Sequence, residues 1–191
     1  MFGKSRLEAC SDGVLAIILT IMVLELKAPA GAEISDILRL GPKFFSYVLS
    51  FIYVGIYWNN HHHMFLTVEK INGKILWANF NLLFWLSLIP FSTSWMGETN
   101  FSDTGTITYG IILLMSAISY VMLQNIIIKS QGNDSKLKKA VGKDTKGKLS
   151  PIFYFLGVVS GFINPFVSLG FYILVAIMWI VPDKRIEKMF L

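Results

Sequence analysis

Long apolar windows alternate along this chain with short segments rich in Pro, Gly, Asn and charged residues. A membrane-spanning helix needs about 20 mainly apolar residues, and the pattern predicts six such helices. The first covers residues 6–26 and stops before Pro29 and Gly31. The second covers 42–66 and carries the run FFSYVLSFIYVGIYW. The third covers 75–96 with Pro90 as an internal kink, and the fourth covers 107–128. After a Lys-rich segment at 129–149 the chain is apolar again from Ser150 to Val181, about 48 Å of helix, more than one span requires. Asn164-Pro165 interrupts this stretch and divides it into helices over 150–163 and 166–181; one long kinked or re-entrant element is the other reading. The predicted fold is all-α, a polytopic membrane protein with a single six-helix transmembrane domain over residues 1–191.

Composition agrees with that pattern. Of the 191 residues 54% are hydrophobic and only 15% charged, where a soluble domain carries about 25% charged residues. Mean hydropathy is +0.58. The net charge of +5 raises the question of nucleic acid, but the distribution of the cations answers it differently. With the N-terminus inside, every lysine and arginine except Lys27, Arg39 and Lys43 falls on the cytoplasmic side, while Glu33, Asp36, Glu98 and Asp103 fall outside. The asymmetry follows the positive-inside rule and predicts both termini cytoplasmic, in a multi-pass protein of the cell membrane. The basic tract from Lys129 to Lys148 then reads as a solvated cytoplasmic loop with a weaker attraction to anionic lipid, and no nucleic-acid partner is expected. The first apolar segment has elements of a signal peptide, but Glu8, Asp12 and Glu25 sit where such a peptide is basic or neutral, so it is expected to stay in the protein. Cys10 is the single cysteine, which excludes an intrachain disulfide, and it reads as a small buried packing residue.

The first helix, RLEACSDGVLAIILTIMVLEL, carries the candidate chemistry. A carboxylate at membrane depth is costly without a partner, which singles out Asp12. At 100° per residue, Gly13, Thr20, Ile21 and Leu24 all lie within about 60° of Ile17, whereas Ser11 and Asp12 lie more than about 100° away. One face therefore presents Ile17, Thr20, Ile21 and Leu24, and the other anchors the helix through its polar pair. The same stripe also fits a helix face packed or turned to lipid, and Thr20 fits a hydroxyl bonded back to its own helix.

Partners for Asp12 are available toward the cytoplasmic side, where the second helix offers Trp58, Asn59, Asn60, His61, His62 and His63 and the third offers Asn79 and Asn81. Three consecutive histidines diverge by about 100° each on a helix, so they do not converge on one ion, and a polar network that responds to pH fits them better than a metal site. P-loop, dinucleotide-binding, HExxH and nucleophile-elbow motifs are all missing from the sequence, which argues against an enzyme and against a cofactor. Thr108-Tyr109-Gly110 lacks the rest of a carbonyl potassium filter.

Arg6, Ser11-Asp12-Gly13, Ala16-Ile17 and Thr20 together resemble the R-x-x-x-F-S-D signature of the transmembrane protein 175 family, the endosomal and lysosomal potassium channels and their bacterial relatives. Cys10 stands where the family usually has Phe. Trp58-x-x-His61-x-x-x-Phe65, Asn79 followed by Pro90, and Trp179-Ile180-x-Pro182-Asp183-x-Arg185 resemble further family patterns, so the likeness runs over nearly the whole chain.

The resemblance implies a homotetramer of six-helix subunits in which the first helix lines a central pore. It implies a hydrophobic gate at Ile17, further pore layers at Thr20 or Ile21 and at Leu24, and a network of Arg6, Ser11, Asp12, Trp58 and His61, joined by Asn79, that holds the helix in place. The expected activity is potassium-selective conduction, with K+ as the permeant ion and with self and the lipid bilayer as partners. A cation or proton transporter relaying through Asp12 and His61, and a non-conducting membrane scaffold, are the alternatives.

Overall fold

A computed structural model of the chain describes residues 3–132, 135–142 and 144–180. Among these residues every regular element is helical. The order is α1 (Lys4–Leu24), α2 (Ile34–Leu38), α3 (Gly41–Leu66), α4 (Gly73–Ser87), α5 (Ile89–Glu98), α6 (Asp103–Gln131), α7 (Lys136–Val141), α8 (Thr145–Ser160) and α9 (Pro165–Ile180). Pro182, Asp183, Arg185 and the other residues of the C-terminal pattern past Ile180 lie outside the described residues, as do Lys143, Lys184 and Lys188.

The helix starts follow from capping chemistry. Asn72 Oδ1 accepts from the Ile75 N–H at 2.9 Å to open α4, Ser102 Oγ accepts from Gly105 N–H at 3.3 Å to open α6, and Asp144 Oδ1 accepts from Gly147 N–H at 3.1 Å to open α8. Pro42 occupies the first turn of α3, where a missing N–H costs nothing. Pro90 breaks the third apolar window at Leu88, so one predicted helix becomes α4 and α5. The stretch after Lys148 is two helices, α8 and α9, packed against each other across a turn at 161–164.

Among the described residues three helical stretches are long and apolar enough to cross a membrane: Lys4–Leu24, Gly73–Glu98 and Asp103–Gln131. α9 is strongly apolar but shorter. α6 is the central element, touching α4, α5, α8 and α9. Large buried side chains, among them Tyr53, Tyr109 and Tyr172, join α3, α6 and α9 there, and α8 adds Tyr154. The Tyr53 hydroxyl donates to the Tyr172 carbonyl, Tyr109 bonds Ser50 at 2.9 Å, and the Tyr172 hydroxyl donates to the Thr106 carbonyl at 3.3 Å. Gly110 and Gly157 make this packing possible, because a Cβ at either position would overlap the Tyr172 side chain.

The Lys-rich segment at 129–149 differs from the solvated loop expected of it. It holds the end of α6, all of α7 and the first turn of α8. The reason is the spacing of Leu137, Ala140 and Val141, which places three apolar residues on one face of α7 and buries them.

Candidate functional site

α1 has two faces of opposite character. Leu7, Ser11, Leu15, Ile18 and Met22 are buried against α3, α4 and α5. Ile17, Ile21 and Leu24 are 59%, 42% and 75% exposed, and Thr20 is exposed beside them. Spacing puts the exposed set on one azimuth, and the other described residues leave that azimuth uncovered. Toward the N-terminal end the same face carries Gly13 and Cys10, both exposed, with exposed Ala16 at its edge. Cys10 is therefore not the buried packing residue its type suggested. Seven residues before Ile17, it returns to within about 20° of the same azimuth. The Thr20 hydroxyl donates back to the carbonyls of Ala16 and Ile17, each at 2.9 Å.

The polar residues divide into two separate sets. On the exposed side the Trp58 indole N–H donates to Asp12 Oδ1 at 3.0 Å, tying α1 to α3. On the buried side His61 Nε2 lies 2.7 Å from Asn79 Oδ1, Asn79 Nδ2 donates to Ser11 Oγ at 2.9 Å, and Ser11 donates to the Leu7 carbonyl at 2.9 Å. An amide oxygen only accepts, so His61 carries its proton on Nε2 and the chain of bonds runs in one direction, from α3 through α4 into α1. His61 also stacks on Phe65 with ring centroids 4.4 Å apart. Arg6 is exposed on the first turns of α1.

Of the predicted network, the structure joins Ser11 to Asn79 and His61, and Asp12 to Trp58, but no hydrogen bond links the Asp12 carboxylate to His61. Asn60 bonds within its own helix to the Ile56 carbonyl, and Asn81 donates to Ser119 of α6 at 2.7 Å. His62 is exposed and His63 half-buried, so the three histidines diverge. Among the described residues no group of three His, Cys, Asp or Glu side chains converges as metal ligands.

Two contacts at the other end of α1 escaped the sequence reading. Ser94 Oγ of α5 donates to Glu25 Oε2 at 3.2 Å, and Lys43 of α3 pairs with Glu98 of α5 at 2.9 Å. The sequence separations, 69 and 55 residues, leave no local signal for either pair. The outward azimuth of Cys10 was available from helical period alone.

A sequence profile of the family described as endosomal/lysosomal potassium channel TMEM175 matches residues 6–90, which hold α1, both polar sets and the Pro90 break. The chain is 57% identical to a potassium channel of Chryseobacterium sp. (strain P1-3), over 97% of this chain and 96% of that one. The crystal structure of a lysosomal potassium-selective channel TMEM175 homolog from Chamaesiphon minutus superposes with a TM-score of 0.83 at 28% identity, covering 94% of this chain and 97% of that one. The human endosomal/lysosomal proton channel TMEM175 is 37% identical over 36% of this chain and 16% of its own length.

Proposed function

This chain is a bacterial member of the endosomal/lysosomal potassium channel TMEM175 family, and we propose that it is itself a potassium-selective channel of the cell membrane, not an enzyme. In this reading four copies assemble around an axis lined by the exposed face of α1. Each subunit crosses the membrane six times with both termini cytoplasmic. Ile17 forms the narrowest layer, and Thr20, Ile21 and Leu24 form the layers beyond it.

The observation that carries the proposal is the uncovered stripe itself. Ile17 and Leu24, at 59% and 75% exposure, sit on a helix that buries Leu7, Ser11, Leu15, Ile18 and Met22 on another side. A single helix cannot enclose a pathway, so symmetric copies are required, and a ring of apolar side chains passes ions only at the cost of dehydrating them. The face also tapers. Cys10 and Gly13 are small, so the cytoplasmic half widens into a vestibule, while Ile17, Ile21 and Leu24 narrow the outer half. The Ser11–Asn79–His61 chain and the Trp58–Asp12 bond hold α1 against α3 and α4 and so fix the azimuth of the stripe.

A second reading, proton transport, has one thing in its favour: the human relative is called a proton channel. The separation of Asp12 from His61 into different hydrogen-bonded sets speaks against a relay through that pair. The deciding experiment is potassium flux into liposomes from purified protein, with sodium and proton gradients as controls. Ile17→Asn should wet the constriction, raising flux and weakening potassium selectivity; unchanged conductance and selectivity would remove Ile17 from the pore.

A further inference from the structure

The proposed conduction pathway assigns no role to the Lys-rich segment, whose structure gives it a shape of its own. α7 turns Leu137 and Val141 into the body of the protein beside α6 and leaves Lys136, Lys138 and Lys139 on its outer face. Lys129 at the end of α6 and Lys148 at the start of α8 are exposed on either side. Among the described residues none of these five ammonium groups is paired with a carboxylate. The described acid within the segment, Asp144, is already engaged, accepting from Gln124 Nε2 at 2.7 Å and from the Gly147 N–H at 3.1 Å.

The level of this surface relative to the membrane follows from its connections. α7 lies between the point where α6 ends and the point where α8 begins, so it sits at one face of the bilayer whichever face that is. The start of α4 is at the same level, because Asn72 and Lys74 line one cleft with Lys129 and Ser130. Trp77, one turn further along α4, is 74% exposed, at the depth where indole rings favour the membrane–water boundary.

We propose that the outer face of α7, with Lys129 and Lys148, is a binding surface for anionic phospholipid headgroups of the adjoining leaflet. Unpaired ammonium groups at headgroup level complement lipid phosphates, and the attraction acts within a Debye length of the surface. The buried apolar edge of α7 keeps the lysines at that level, a geometry that a flexible loop lacks. Lipid bound there tethers the α6–α8 connection to the membrane.

The test uses the full chain, purified in detergent and titrated with phosphatidylglycerol or phosphatidylcholine, with bound lipid read by native mass spectrometry. Phosphatidylglycerol should be retained in preference. K136Q/K138Q/K139Q should lower its apparent affinity by about a hundredfold, given about fivefold per lysine at an anionic surface. K136R/K138R/K139R should keep the affinity, and the loss should shrink at high salt. Equal phosphatidylglycerol affinity in the Gln variant would overturn the proposal, and so would equal loss in the Arg variant. Displacement of the lipid by an oligonucleotide or an acidic peptide at lower concentration would reassign the surface to that partner. Lipid binding is read without ion flux, so the outcome does not depend on whether the chain conducts.

Discussion

Cys10 offers a direct test of the proposed pore-lining face, because it is the single cysteine of the chain and is exposed on α1. It lies on the azimuth of Ile17, about 10 Å away along the helix axis at 1.5 Å per residue. A methanethiosulfonate reagent carrying trimethylammonium, applied from the cytoplasmic side, would place one positive charge on each subunit below the Ile17 layer. At 10 Å in water each charge raises the energy of a cation at Ile17 by about 0.4 kcal/mol, and four raise it by about 1.7 kcal/mol before screening. At 0.15 M salt the Debye length of about 8 Å reduces the total to about 0.5 kcal/mol, while at 0.01 M most of it survives. Potassium current should therefore fall about twofold at 0.15 M salt and about five- to tenfold at 0.01 M. A sulfonate reagent should increase the current by comparable factors, and Cys10→Ser should abolish both effects. The assay is single-channel recording in planar bilayers, with complete labelling verified by intact mass. Fully labelled protein whose current ignores the sign of the added charge would refute a pathway along this face of α1.

Three further outcomes follow from particular contacts. Asn79→Ala removes the central member of the His61–Asn79–Ser11 chain and should destabilise the protein by about 1–2 kcal/mol, seen as a lower unfolding midpoint; an unchanged midpoint would show the chain to be energetically idle. Asp12→Ala and Trp58→Phe each delete one half of the same bond and should lower the yield of the proposed tetramer on size-exclusion chromatography alike, with little change in reversal potential. Gly110→Ala forces a Cβ into the Tyr172 hydroxyl and should cost about 1–3 kcal/mol, whereas Gly55→Ala, inside α3 where a Cβ meets nothing within 4 Å, should leave the midpoint of the same thermal melt unchanged or raised.

Much of this architecture is legible in the sequence because the period of a helix is strict. The stripe of Ile17, Thr20, Ile21 and Leu24 follows from 100° per residue, and the break between α4 and α5 follows from the chemistry of Pro90. The misreadings have equally physical sources. Cys10 was assigned by residue type, for which burial is the common outcome, although its azimuth pointed outward. α7 was hidden because its three lysines equal in number the three apolar residues that order it. The pairing of Gly110 and Gly157 with Tyr172, and of Ser94 with Glu25, joins residues on different helices, and no local pattern encodes such a meeting.

The direction of one proton has a consequence for charge discrimination. Thr20 sends its only hydroxyl hydrogen back into its own helix, to the carbonyls of Ala16 and Ile17. What a ring of four such residues would offer a passing ion is lone pairs without donors. In the proposed pore a cation that has shed water at the Ile17 layer would find oxygen at the adjoining Thr20 layer to replace it, whereas chloride, which needs N–H or O–H groups, would find none. Anions would thus be turned away just beyond the narrowest part of that pathway without a formal charge in its wall.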